Sequence, residues 1–135
     1  YEGAQSGSVR VPVRPADPGL FAPVLNQDDT LNSEQNPEVR GNYVTVFATG
    51  QGAVTPPVVT GQPAPGAEPL ARAAEDVRVL VGGVDVEPYF AGLAPGFVGL
   101  LQLNIQLPAS VSGRIEIQVF IGGVESPSKA IVYVQ

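Results

Sequence analysis

The stretch that decides the fold class is Leu100-Leu-Gln-Leu-Asn-Ile-Gln-Leu107, in which apolar and amide side chains alternate. Successive side chains of a β-strand point to opposite faces, so this period of two predicts a strand over Phe97–Leu107 with one buried face. The buried face is predicted to consist of Leu101, Leu103, Ile105 and Leu107. Four large aliphatic side chains on one face of a strand need a second apolar layer to cover them.

Two glycine pairs predict the hairpins that supply this second layer. Gly82-Gly83 separates strand-like runs at Asp76–Val81 and Val84–Phe90, and Gly122-Gly123 separates runs at Arg114–Ile121 and Val124–Val134. Glycine reaches the positive φ angles that a type I′ turn requires at both central positions. Each pair therefore marks a tight turn between two antiparallel strands.

The rest of the chain also favours strands and turns. Leu20–Leu25 and Thr30–Asn32 flank a predicted turn at Asp28-Asp29, and Asn42–Thr49 is rich in β-forming residues. The proline-rich stretch Gln51–Ala74 predicts a long surface connection with a short edge strand at Val58-Val59. No segment combines the apolar stripe of an amphipathic helix with helix-capping residues. Several short strands at this spacing therefore predict an all-β, immunoglobulin-like two-sheet sandwich.

Composition narrows the function classes. The 135 residues suit one domain, and the net charge of −6 disfavours nucleic acid and anionic lipid as partners. No apolar run reaches the ~18 residues that a membrane-spanning helix requires. Low lysine content, the absence of cysteine and methionine, and abundant Gly, Pro, Thr and Val favour an extracellular, cell-surface protein, with Tyr1 as the start of a processed chain.

The amino-terminal segment has a pattern of its own. Val9, Val11 and Val13 alternate with Arg10, Pro12 and Arg14, which predicts a short amphipathic strand. Proline cannot donate a backbone hydrogen bond, so this strand is expected at a sheet edge. We expect residues 1–14 to form an extension and residues 15–135 to form the sandwich domain.

This extension resembles the last strand of the same chain. Gly3-Ala-Gln-Ser-Gly-Ser-Val-Arg-Val-Pro-Val13 and Gly123-Val-Glu-Ser-Pro-Ser-Lys-Ala-Ile-Val-Tyr-Val134 share small residues and two serines before a valine-rich alternation. The first segment therefore looks like the closing strand of a preceding sandwich, which the sequence does not contain. It can fold back on its own domain or add to a sheet edge of another copy.

Docking on another copy is a head-to-tail contact, and repetition of such a contact generates filaments. The sequence thus predicts a structural subunit of an extracellular, pilus-like bacterial filament, a homopolymer joined by donor strands that carry Val9, Val11 and Val13. The alternative is an adhesion or binding module from a larger secreted protein.

The motif order resembles the Solibacter-type C-terminal domain, which is abundant at the ends of long secreted acidobacterial proteins. The resemblance covers nearly the whole chain and is carried by Ala16-Asp-Pro-Gly-Leu-Phe21, Val24-Leu-Asn-Gln-Asp28, Ala48-Thr-Gly-Gln-Gly52, Tyr89-Phe-Ala-Gly-Leu-Ala-Pro-Gly96 and Leu101-Gln-Leu-Asn-Ile105. It implies an Ig-like architecture and an extracellular setting, and it assigns no catalytic residues.

The residues offer little basis for catalysis, and the sequence predicts no enzyme and no cofactor. Histidine and cysteine are absent, so the usual activated nucleophile is missing. Paired carboxylates, which acid–base catalysis can use, occur at Asp28-Asp29, at Glu75-Asp76 and at Asp85 with Glu87. We interpret them as surface residues that face solvent. No glycine-rich loop precedes a helix or a Lys-Ser/Thr pair, so no nucleotide site is expected.

The sequence also offers few candidate ligand sites. Oxygen ligands for calcium occur at Asp28, Asp29, Thr30, Asn32 and Glu34, but the spacing fits an Asx-rich hairpin turn better, so no metal is predicted. Thr55 and Thr60 are candidate O-glycan acceptors in the proline-rich stretch. Most aromatic side chains, Tyr89 and Phe97 included, are expected in the core, which with the absence of tryptophan disfavours sugar binding.

Overall fold

The computed structural model describes residues 3–135 and consists of β-strands, turns and loops, without a helix in this range. The strands are β1 (Gly19–Leu25), β2 (Tyr43–Thr49), β3 (Val54–Thr55), β4 (Arg72–Ala73), β5 (Val77–Val81), β6 (Val84–Val86), β7 (Phe90–Leu93), β8 (Leu101–Gln106), β9 (Gly113–Ile121), β10 (Val124–Glu125) and β11 (Ala130–Val134).

The strands form two antiparallel sheets that pack face to face. The first sheet has the order β1-β2-β8-β7-β4-β3, and in the second β9 is flanked by β5 and then β6 on one side. β10 and β11 follow one another along the other side of β9. The predicted Ig-like two-sheet sandwich is therefore confirmed.

The core is built from the alternation that the sequence predicted. Leu101, Leu103 and Ile105 of β8 are fully buried, and β8 pairs in register with β2. The second sheet contributes the facing layer, which includes Val79, Val81, Ile117, Val119, Ile121 and Val132. Because both sheets alternate with a period of two, their polar side chains remain on the outer faces.

Both predicted glycine-pair turns are confirmed. Gly82 and Gly83 have φ angles of 58° and 83°, and Gly122 and Gly123 have φ angles of 57° and 78°. β5 is thereby joined to β6, and β9 to β10, by two-residue turns of the type I′ kind. These turns place the short strands β6 and β10 at opposite ends of the second sheet.

Several strand boundaries differ from the prediction: the run Val124–Val134 is divided into β10 and β11, and Thr30–Asn32 contributes only an isolated bridge at Leu31. The edge strand expected at Val58-Val59 is wrong, because the structure pairs β3 with β4 and the ladder ends at Thr55, before Pro56 and Pro57. β6 ends at Val86, and Phe90 belongs to β7 of the other sheet, since Pro88 interrupts the run. β8 begins at Leu101 rather than at Phe97.

We predict that Leu103→Ala lowers the free energy of unfolding by about 2–5 kcal/mol, because it leaves a cavity in a fully buried site. Urea unfolding at pH 7 measures this change. Leu31→Ala is the matched control, since Leu31 is exposed and its loss is expected to cost at most about 0.5 kcal/mol. Equal losses in the two variants would contradict the assignment of β8 to the core.

Candidate interaction surfaces

The extension leaves the sandwich at a fixed point. Ala16 is buried in the core, and the Asp17 N–H donates to the Gly50 carbonyl over 2.8 Å. Gly50 and Gly52 adopt positive φ, and a Cβ on them would lie 1.9 Å from the Asp17 carbonyl oxygen and 2.0 Å from that of Pro15. Only glycine permits this approach, so the chain is held tightly up to Pro15.

Residues 3–15 before this anchor are all exposed and lie outside any strand. Val9, Val11 and Val13 are 84%, 74% and 94% exposed. The amphipathic strand predicted here therefore has no strand partner among residues 3–135. The role of these valines as a donor strand concerns a contact between chains and stays a prediction.

The outer edge of β11 is closed by the loop between β1 and β2. The Asn32 side chain accepts the Tyr133 N–H over 2.7 Å and donates to the Tyr133 carbonyl over 2.9 Å. The Glu38 backbone also donates to the Tyr133 carbonyl over 2.9 Å and accepts the Gln135 N–H over 2.8 Å. These bonds satisfy backbone groups that an edge strand would otherwise expose.

Two serines join β1 to the β10–β11 edge of the second sheet further along. The Ser126 hydroxyl accepts the Leu20 N–H over 3.3 Å, and the Ser128 hydroxyl donates to the Leu20 carbonyl over 3.3 Å. β1 and the β10–β11 edge are thus joined side by side, although they belong to different sheets. The strands that remain as outer edges are β3 in the first sheet, and β6 and the two-residue β10 in the second.

Glu38 is buried beneath this loop as a carboxylate. Burial by itself raises the pKa of Glu38, but three donors outweigh it and hold the pKa below its ordinary value. The donors are the Gln27 N–H at 2.7 Å, the Val39 N–H at 2.8 Å and the Asn42 amide at 2.9 Å. The carboxylate therefore ties both ends of the loop together.

The residues weighed for calcium make turn contacts instead. Asp28 accepts hydrogen bonds from the Thr30 hydroxyl at 2.6 Å and the Thr30 N–H at 3.1 Å, and these bonds lower its pKa. Asn32 points toward Tyr133. Within residues 3–135, no group of three or more acidic side chains is arranged to hold a metal ion.

The loop also borders an open polar pocket of about 280 Å³, lined by Asn26, Gln27, Asp28, Asn36, Pro37, Glu38 and Asn42. Sequence reasoning missed the hydrogen bonds that join Asn32 of this loop to Tyr133 of β11. The many Asn and Asp residues between Leu25 and Tyr43 indicate a turn, and nothing in the sequence shows that Asn32 reaches a strand about a hundred residues later.

A second cavity, of about 380 Å³, lies on the outer face of the first sheet. Its lining consists of Glu68, Leu70, Arg72, Tyr89, Phe90, Pro95, Gln102 and Asn104. The Arg72 guanidinium lies 5.1 Å from the centre of the Phe90 ring, and Glu68 lies 3.4 Å from Arg72. The Gln102 amide donates to Asn104 over 3.0 Å.

The expectation that the aromatic side chains are mostly core residues is wrong. Tyr89 is 75% exposed, and its ring meets that of Tyr43 edge-on at 5.6 Å. Phe97 is also exposed, and Phe90, although buried, lies under Arg72 on the outer face rather than between the sheets. The alternation of β2 and β7 points Tyr43 and Phe90 away from the core, whereas Tyr89 and Phe97 lie outside the strands.

The remaining predicted sites are scattered. Asp85 is bonded to Arg78 at 2.6 Å on the outer face of the second sheet, so the carboxylate pair with Glu87 faces solvent. Thr55 ends β3 and Thr60 lies in the following turn; both are exposed. Their use as O-glycan acceptors stays a prediction.

A scan against models of protein families found no match to this chain, and a search of curated proteins found no significant relative. The resemblance to the Solibacter-type C-terminal domain therefore stays a prediction. In residues 3–135 no helix has the length and apolarity needed to cross a bilayer.

We predict that Glu38→Gln weakens the pH dependence of stability between about pH 5 and pH 3. Because folding lowers the Glu38 pKa, the unfolded state binds the proton more readily, and the stability contributed by Glu38 is lost as pH falls. Urea unfolding across this range measures it. Glu34→Gln removes an exposed carboxylate from the same loop, and a slope as altered there as in Glu38→Gln would contradict the prediction.

Proposed function

We propose that this protein is the structural subunit of an extracellular bacterial filament, in which the amino-terminal segment of one copy adds as a β-strand to a sheet edge of the next. The observation that carries the proposal is the exposed stripe of Val9, Val11 and Val13, which lies just outside the anchored Pro15. Full burial of a valine is worth about 1.5–3 kcal/mol, so the stripe favours association with a partner.

The charge distribution supports contact between copies. The first 14 residues contain two arginines and one glutamate, whereas the remaining residues contain five cations and twelve acids. The extension is thus weakly positive and the sandwich strongly negative. Opposite charges on the two contacting parts steer association, although salt screens the attraction beyond about 10 Å at 0.1 M ionic strength.

The occupied strand positions restrict how the segment docks. Its sequence resembles the β10–β11 region, but in each copy β10 and β11 already pair with β9. A second copy therefore offers no vacant strand position of that kind. The incoming segment adds outside an existing edge strand, with backbone hydrogen bonds for continuity and valine burial for affinity.

We predict that the triple substitution Val9→Thr, Val11→Thr and Val13→Thr abolishes filaments and leaves the unfolding temperature within about 2 °C. The valines are exposed within the chain, so their replacement removes apolar surface from the contact without disturbing the core. Negative-stain electron microscopy and sedimentation velocity measure assembly, and circular dichroism measures unfolding.

The matched control replaces Val59 and Val98 by threonine, because these valines are exposed elsewhere on the surface. It should assemble as the unmodified chain does. Deletion of residues 1–13 should likewise give a folded monomer. Compact monomers of the unmodified chain at high concentration, or loss of folding on deletion, would overturn the proposal.

The outer-face cavity favours a second candidate function, binding of an oligosaccharide by an adhesion module. Tyr89 offers an exposed ring, and Gln102, Asn104 and Arg72 place amide and guanidinium groups beside it. An aromatic surface with a few convergent polar groups suits a ligand that has apolar C–H faces and hydroxyl groups.

If this second candidate is correct, Tyr89→Ala weakens binding of any glycan detected on an array by at least tenfold, about 1.4 kcal/mol. Titration calorimetry with that glycan measures the change. Phe97→Ala is the control, because Phe97 is an exposed aromatic residue outside the cavity lining. The absence of any glycan binding, or an equal loss in the control, would rule out the cavity as a sugar site.

A further inference from the structure

We infer that β6 is the edge that accepts the valine-striped segment, and that the incoming strand runs parallel to β6 with Val9 beside Val84 and Val11 beside Val86. This assignment rests on the proposed filament function, since it names the acceptor of the same contact. Its basis is the set of sheet edges that the fold leaves open and the direction in which their backbone groups point.

The other edges are poor acceptors. Asn32 and Glu38 occupy the outer side of β11 at Tyr133, and Ser126 and Ser128 join β1 to the neighbouring strand at Leu20. β3 is two residues long, and Pro56 and Pro57 after it have no N–H to offer. β10, at the opposite end of the second sheet, is also only two residues long. This leaves β6, on which Val84 and Asp85 are exposed.

The direction of the β6 backbone groups follows from its neighbours. The Gly82 N–H donates to Glu116 of β9, so the odd-numbered residues of β5 direct their backbone groups to β6. Val79 and Val81 pair with Val86 and Val84, whose backbone groups consequently face β5. The N–H and C=O of Asp85, and by the same alternation those of Glu87, point outward, and no backbone partner among residues 3–135 bonds to them.

The incoming segment has its own alternation. In an extended strand Val9, Val11 and Val13 share one face and direct their backbone groups to one edge, whereas Pro12 belongs to the other set. Pro12 lacks an N–H, so the edge that bonds to the acceptor is the valine edge. The segment therefore brings its valine side chains and its complete set of donors together.

Strand direction is decided by the face on which the valines must lie. Val86 packs against the core, so the valines are buried only if they lie on the same face as Val84 and Val86. In an antiparallel pair, residues that exchange hydrogen bonds oppose each other and share a face, which would place the valines beside Asp85. In a parallel pair, a residue that bonds to the partner strand lies opposite a partner residue whose own N–H and C=O point to the other side. The valines of a parallel incoming strand therefore lie beside Val84 and Val86, whose backbone groups face β5.

The register is fixed by the number of bonds and by charge. With Val9 beside Val84, the backbone groups of Val9, Val11 and Val13 reach the outward N–H and C=O of both Asp85 and Glu87. A shift that places Val11 beside Val84 leaves the Glu87 carbonyl facing Pro15, which has no N–H, and the opposite shift places Gly7 instead of a valine beside Val84. The chosen register also places Arg10 opposite Asp85 on the outer face, where the carboxylate is exposed.

The test uses the absence of cysteine from the chain. Arg10→Cys and Asp85→Cys chains are mixed and oxidised mildly, and non-reducing gel electrophoresis reports cross-linked dimers. Neighbouring strands lie about 4.8 Å apart, which falls within the Cα separation that a disulfide spans. We expect this pair to cross-link at least tenfold more than Arg10→Cys with Glu125→Cys, where the second cysteine lies on the opposite edge of the same sheet.

Each outcome decides between the two proposals. Selective cross-linking to Asp85→Cys supports β6 as the acceptor. Filaments that lose assembly on valine substitution, yet cross-link equally or preferentially to Glu125→Cys, overturn the acceptor and leave the filament standing. Failure of the unmodified chain to form filaments overturns both. A monomeric disulfide in a chain with Arg10→Cys and Asp85→Cys together, in place of dimers, shows fold-back and also overturns both.

Discussion

Hydrogen bonds between the β1–β2 loop and the outer edge of β11 close one side of this sandwich. Tyr133 lies between β9 and the β1–β2 loop, and on the loop side its N–H and carbonyl bond to Asn32 and Glu38. Glu38 in turn collects three donors with its carboxylate, so the loop is fixed to the last strand. Polar groups rather than further apolar surface therefore seal this edge. At the far side of the second sheet, the outward backbone groups of Asp85 have no backbone partner within residues 3–135.

This closure constrains self-assembly. A segment that resembles β10–β11 would fill a sandwich that lacked those strands, but here β9 is already flanked on both sides. The proposed filament therefore joins copies by addition at an edge, which yields fewer buried side chains than replacement of a missing strand. We expect such a contact to depend on charge complementarity as well as on valine burial.

The two proposed surfaces lie on different sheets. β6 belongs to the second sheet, whereas the cavity beside Tyr89 lies on the outer face of the first. Occupation of the β6 edge leaves Gln102, Asn104 and Arg72 available to a ligand. A filament subunit and an adhesion module are for this reason compatible descriptions of one chain, and each surface can be tested by substitutions that leave the other in place.

The sequence alone suffices to predict the strands with clear period-two alternation, the turns at Gly82-Gly83 and Gly122-Gly123, and hence the two-layer fold, because these features depend on neighbours only two to four residues apart. It does not place the short strands β3 and β4, whose ladder depends on pairing across the proline-rich connection. Nor does it show the hydrogen bonds between Asn32 and Tyr133 or the outward position of the aromatic residues. These features follow from the folded arrangement, since they depend on which face and which edge each strand presents to residues far away in the chain.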